Sequence, residues 1–269
     1  MEIIRKPFQG VRNIILFNWP FYATAAVLLL LLFTLQTLLP EGLRVAIVIS
    51  GALILYALVA SLVASHLIYD RSTLYELRWL RRKAPHAILN LSAGFDEISE
   101  LIRHQQPDCT LTNCDFFSPE RHTEKSIQRA RKAYPPPADL MQVSPHQLPF
   151  GNGGFDTIIA FLAAHEIRKE DERIAFFQEL RRVLKDEGEI AVTEHLRDVN
   201  NLMVYTIGFL HFHSRRTWLR TFKKVGLEVV REAHTTPFVT TFILKKNGNS
   251  PAHHRNNAHG ARNRSRHLS

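Results

Sequence analysis

Two long runs without Asp, Glu, Lys or Arg, residues 13–40 and 45–69, dominate the first quarter of the chain. At about 1.5 Å rise per residue, a helix over either is long enough to cross a hydrocarbon core of about 30 Å. Neither keeps the polar face that a helix in a soluble bundle needs. The pattern predicts a transmembrane hairpin with spans at about 14–39 and 45–69, joined by the short connection 40–44. The first run starts late, exceeds the usual apolar stretch of a signal peptide (about 7–15 residues) and is followed at once by another, so a retained anchor is expected. Arg5, Lys6 and Arg12 precede the hairpin and Arg71, Arg78, Arg81, Arg82 and Lys83 follow it, whereas its turn carries Arg44 against Glu41. That bias predicts an integral membrane protein with both termini, and everything after the hairpin, on the cytoplasmic side. Residues 70–83 either lie along the headgroups as an amphipathic helix or continue the second span into water.

From residue 85 to 246 the pattern changes to short apolar runs separated by amphipathic stretches. This predicts strands alternating with helices. Strands are expected over 87–91, 109–114, 139–143, 155–160, 189–194, 227–232 and 238–245. Helices are expected over 96–105 with Asp96 as cap, from Ser118-Pro119-Glu120 to Ala133, over 170–184, and over 216–225. The run FDTIIA has the continuous apolar character of a strand buried on both faces. The fold class is α/β, a Rossmann-like doubly wound sheet of about seven strands behind a transmembrane helical hairpin. The expected divisions are a membrane anchor over 1–84, an α/β domain over 85–246 and a basic tail over 247–269.

Composition adjusts this picture in two places. The formal net charge is +9, but Arg255, Arg262, Arg264 and Arg266 lie in a tail with no acidic residue and few aliphatic side chains. Such a segment cannot offset its ordering entropy and is expected to be disordered, with no specific nucleic-acid partner. The two cysteines, Cys109 and Cys114, support neither a disulfide framework nor a paired thiolate metal site.

In an open parallel sheet, ligands bind beyond the carboxyl ends of the strands. The first such loop, ILNLSAGFDE, has a single glycine and lacks GxGxxG, which argues against a dinucleotide. His165 lies just past the fourth strand, beside the expected reaction site, and is a candidate general base. Asp96 reads as a helix cap and Asp156 as a loop anchor. His211 and His213, with no carboxylate pattern in their neighbourhood, predict no metal site. The stretch HLRDVNNLMVYTIGFLHFH is more apolar than a surface crossover requires; it is either a lid over a lipid-like substrate or a helix packed on the sheet.

The run LPFGNGGFDTIIAFLAAHEI, followed by FFQELRRVLKDEGEIAVTE, resembles the fourth strand, helix and fifth strand of class I S-adenosylmethionine-dependent methyltransferases. The similarity is greatest to the type 11 group, which includes ubiquinone/menaquinone methyltransferases, and extends from residue 88 to 245. The resemblance implies S-adenosyl-L-methionine as cofactor. It implies Asn90 and Gly94 of the first loop, Asp115 on the ribose, Phe116 against adenine, and Ser144 and Ala160 in the later loops as cofactor-binding residues. Ser92 and Asp96 stand where glycines are usual, Asn90 and Ser144 where acids are. The expected function is a membrane-anchored methyltransferase acting on a hydrophobic or membrane-associated small molecule, with the lipid bilayer as partner. The competing expectation, motivated by those departures, is a tethered scaffold that has lost its cofactor.

Overall fold

The computed structural model describes residues 6–80, 87–120, 124–137 and 139–248. The basic tail expected over 247–269 and residues 81–86 of the juxtamembrane segment fall almost wholly outside them. Two helices come first: α1 (Gln9–Leu35) and α2 (Glu41–His66). Both are long and apolar enough to cross a membrane by length and composition. They lie a few residues N-terminal of the predicted spans. Helix α1 kinks at Asn18, near Pro20, which has no N–H to donate and cannot continue a regular ladder.

The α/β part is one seven-stranded sheet of order β3-β2-β1-β4-β5-β7-β6. Its strands are β1 (Ala87–Ser92), β2 (Thr110–Asp115), β3 (Met141–Gln142), β4 (Phe155–Phe161), β5 (Leu184–His195), β6 (Leu227–Thr236) and β7 (Val239–Lys246). The first five run parallel, and β7 pairs antiparallel with β5 and β6. The helices are α3 (Ser99–Gln105), α4 (Lys125–Ala133), α5 (Glu170–Val183), α6 (Val199–Tyr205) and α7 (Arg215–Lys224). Strand β4 shows why the sheet is central: Ile158 and Ala160 enter one core with α5 and α7, while Ile159 and Phe161 enter a second core on the opposite face. Period-two alternation between two apolar layers is what a strand covered on both sides requires.

The second core contains an unexpected component. After α2 the chain makes a π-turn (Leu67–Arg71) and a 3-10 turn (Leu74–Glu76), and Ile68, Leu74, Leu77 and Trp79 are buried against Ile88, Ile159, Phe161 and Ala191. As far as residue 80, therefore, the segment neither lies on headgroups nor prolongs a span. Its apolar side chains cover a sheet face that would otherwise meet water. Two further expectations shift. The helix predicted from Ser118 starts only at Lys125, with Pro119 and Glu120 in a turn. Strand β5 begins at Leu184, and the expected turn at 186–188 falls in an irregularity of the β4–β5 register, between the pairs Phe155–Leu184 and Thr157–Glu189.

The hairpin is built into this body at its foot. Gly10, Asn13 and Phe17 of α1 are buried. Tyr134 donates to Asn13 Oδ1 (2.7 Å) and Arg129 Nε to the Phe17 carbonyl (2.5 Å), which joins α1 to α4. Asp70 accepts from the amides of Gly10 (2.6 Å) and Val11 (3.1 Å), satisfying N–H groups in the first turn of α1 that have no helical partner. Gly10 is required here, since a Cβ would stand 2.3 Å from Tyr69 Cβ. Beyond the foot, large apolar side chains from Trp19 to Val63 stand exposed.

Candidate functional site

At the carboxyl ends of β2, β3 and β4 the chain leaves an open cleft of about 1050 Å³, walled by Phe116, Phe117, Arg131, Ser144, Glu166 and Arg168 among others. Strand β1 turns away at Gly94, whose φ of 98° is a conformation that side chains disfavour. Its amide donates to Asp115 Oδ1 (2.8 Å), which also accepts from the amide of Phe117 (2.9 Å). The other oxygen of this fully buried carboxylate pairs with Arg131 of α4. Ile127 of the same helix and Phe117 cover Gly94, so that a Cβ there would meet them at 2.6 and 2.9 Å.

The other predicted positions separate. Asn90 is buried and donates to Asp96 Oδ1 (3.1 Å). That same oxygen accepts from the amides of Ile98 and Ser99 at the start of α3, the capping role expected of Asp96. Ser92 donates to the Cys114 carbonyl and does not enter the cleft. Phe116 lines the cleft and rests on Phe176, ring centres 5.3 Å apart, and Ser144, just past the neighbouring strand β3, lines it too. Ala160 is not a cleft residue. It is fully buried in the core between Leu91 and Val192, because β4 runs one residue further, to Phe161, before the loop begins.

His165 is less accessible than a general base should be. Its Nδ1 lies 2.6 Å from Glu194 Oε2 and its Nε2 3.2 Å from Glu166 Oε1. Burial opposes its positive charge, but Glu194 and the hydrogen bonds to both carboxylates outweigh that and raise it to about 10. Both ring nitrogens of this His thus face carboxylates, and His165 is not among the residues lining the cleft, unlike what the expected general base requires. His211 joins the same group, with Nε2 3.3 Å from Glu166 Oε1 and Nδ1 3.0 Å from Glu124. His213 stays apart against Trp218 and Arg173, where burial first and the nearby Arg173 and Arg168 second depress it to about 3. Arg131, Glu194 and Glu124 escaped the sequence reading because their partners are distant in the chain.

Residues 89–192 match the profile of the methyltransferase domain family. This region is a class I S-adenosylmethionine-dependent methyltransferase domain. The methyltransferase domain is 28% identical over 160 residues to a demethylmenaquinone methyltransferase of Thermotoga maritima, covering 60% of this chain and 63% of that protein. A demethylmenaquinone methyltransferase of Thermus thermophilus is 25% identical over 126 residues, covering 44% of this chain and 54% of the relative. The alignments thus span less than two thirds of either relative's length. Among solved structures, a SAM-dependent methyltransferase of Aquifex aeolicus superposes with a TM-score of 0.50 at 13% identity, over 67% of this chain and 92% of that one, a likeness of fold.

S-adenosylmethionine is the cofactor of such a domain, and the residues present fit it in part: Phe116 and Ser144 line the cleft, whereas Gly94 and Asp115 are buried behind Phe117, Ile127 and Arg131. A glycine at positive φ, an acid closing β2 and an aromatic wall meet beside a cleft of sufficient volume. One adjustment is needed. Three of the roughly four acceptor directions of the Asp115 carboxylate are taken, which leaves one for a ribose hydroxyl; a second hydroxyl reaches the carboxylate only by displacing Arg131.

Proposed function

We propose that this chain transfers a methyl group from S-adenosylmethionine to a hydrophobic small molecule drawn from a bilayer in which the hairpin is embedded. One observation carries the reading: the exposed apolar surface of the hairpin continues onto the methyltransferase domain. Tyr56 of α2 donates to the Met203 carbonyl of α6 (3.0 Å), and Val199, Leu202, Met203, Ile207 and Leu210 are exposed along α6 and the turn after it. Single exposed apolar residues are ordinary, but a contiguous patch next to a span suits a lipid boundary. The same segment reaches the methyltransferase cleft, where Arg168 donates to the carbonyls of Leu210 and His211. The basic residues flanking the hairpin support a cytoplasmic domain. The named activity of the two relatives, demethylmenaquinone methylation, makes a quinone-like ring the first acceptor to try.

In this reading Asp115 and the Gly94 loop hold the ribose and methionine portions, Phe116 and Ser144 border the adenine, and residues 199–211 exclude water from the acceptor. The cofactor supplies a methyl group on a positively charged sulfur, so alignment and desolvation of the acceptor are the protein's main tasks. Labelled-methyl transfer by the full chain in lipid nanodiscs tests this, with extracted native lipids as acceptor. Label in an organic-soluble product, lost in Asp115→Asn, is the expected result. Failure of the folded wild type to bind millimolar S-adenosylhomocysteine would remove the reading and leave a tethered scaffold.

A further inference from the structure

We infer that His165, Glu166 and His211 form a binding site for a divalent first-row transition cation, with zinc the natural first probe. The three donor groups come from two places, the 3-10 turn Ala164–Glu166 after β4 and the end of the turn Thr206–His211, yet their ligand atoms all lie within 4.8 Å of one another. Glu166 Oε1 stands 3.2 Å from His165 Nε2 and 3.3 Å from His211 Nε2. Donors held at the usual zinc–nitrogen and zinc–oxygen lengths around a tetrahedral ion are separated by about 3.4 Å, so the cluster is already near ligating dimensions.

The second observation concerns the far side of each imidazole. Metal-bound histidines generally use one ring nitrogen for the ion and have the other fixed by a carboxylate. Both rings here have that arrangement: Nδ1 of His165 meets Glu194 (2.6 Å) and Nδ1 of His211 meets Glu124 (3.0 Å), leaving both Nε2 atoms on Glu166. Glu194 is fully buried and also accepts from the His165 amide (3.1 Å), so its carboxylate is fixed in place. With all three carboxylates ionised the group is net negative even when both imidazoles are protonated, and a dication compensates that charge. Two nitrogens and one oxygen without thiolate suit zinc, iron(II) or manganese over copper(I), and three protein donors leave a position for water or an acceptor oxygen. Glu166 lines the cleft, so such an ion would sit at its wall and tie the crossover segment to the sheet edge.

The test uses the full chain in detergent, stripped with chelator and titrated with cobalt(II) and then zinc. The sequence also carries His253, His254, His259 and His267, so the readout is the difference between proteins. Wild type is expected to bind one ion per chain more than His211→Ala and to develop the visible absorption of low-coordinate cobalt, which zinc abolishes. Glu194→Gln, which keeps every ligand, should weaken binding roughly 10–100-fold. It provides a second comparison if His211→Ala does not fold. His234→Gln, away from the cluster, should bind as wild type. Equal stoichiometry and spectra in wild type and the folded ligand variant, or no cobalt absorption in wild type, would overturn the site and leave a hydrogen-bonded ion network.

Discussion

Arg131 is the cleft residue that pairs with Asp115. Its guanidinium partners a fully buried carboxylate, and truncating one member of such a pair costs about 3 kcal/mol because the other is left uncompensated. Arg131→Ala should therefore melt at lower temperature than wild type when ligand-free. S-adenosylhomocysteine should raise its melting temperature more than that of wild type, since Asp115 no longer has to exchange partners. A smaller ligand-induced rise in the variant would mean that the guanidinium helps to hold the ligand. His195 gives a pH dependence. It is buried with Tyr69 Oη 2.8 Å from Nε2, the Phe238 carbonyl 3.0 Å from Nδ1, Tyr205 against its ring and His165 nearby. Burial first, and repulsion from His165 second, lower it to about 4. The unfolded chain takes up this proton more readily, so the contribution is complete above about pH 6.5 and is lost as pH falls through 4. Urea midpoints between pH 7 and 4 should drop more steeply in wild type than in His195→Gln, by up to about 3 kcal/mol. What was legible of Gly94, Asp115, Phe116 and Ser144 is their place at or just past the ends of β1, β2 and β3, which the apolar pattern marks. The partners of Asp115 and His165 were not legible, because pairs such as Arg131–Asp115 and Glu194–His165 exist only once helices and strands are packed.

The elements were legible wherever one apolar face has one destination. Strand β4 and helices α5 and α7 lie within a residue or so of expectation for that reason. Residues 70–80 depart from expectation because Leu74, Leu77 and Trp79 have the same apolar character whether they meet lipid or sheet, and only the uncovered face of β1 and β4 decides between them. The junction this segment makes with α1 is testable. Asp70 bonds two first-turn amides of a helix with no side-chain cap of its own. Asp70→Ala should cost about 1–2 kcal/mol, in the range of capping losses, and Asp70→Asn less. Hydrogen exchange should localise the change to the first turn of α1 and leave the amides of β4 protected; unchanged exchange at residues 10–12 would contradict this.

For the whole molecule, the apolar residues of the hairpin decide where the protein resides. Leu30 and Leu53 are both about two thirds exposed, Leu53 at the middle of α2 and Leu30 in the last third of α1. An arginine at the centre of a span opposes insertion by about 2.5–3.5 kcal/mol, so Leu30→Arg/Leu53→Arg should shift the chain out of the carbonate-resistant membrane fraction, while the wild type remains there. Equal extraction of the two would argue that the hairpin lies on another protein. The buried foot has a further consequence for how such a molecule samples its surroundings. Because α1 and the segment after α2 are bonded into the body through Asp70, Tyr134 and Arg129, no slack leash separates catalyst from support. On the proposed membrane reading, the opening between β2 and β4 is thereby held at one height and one tilt above the lipid plane, and encounters would depend on sideways diffusion of acceptors through the leaflet and not on tumbling of the protein.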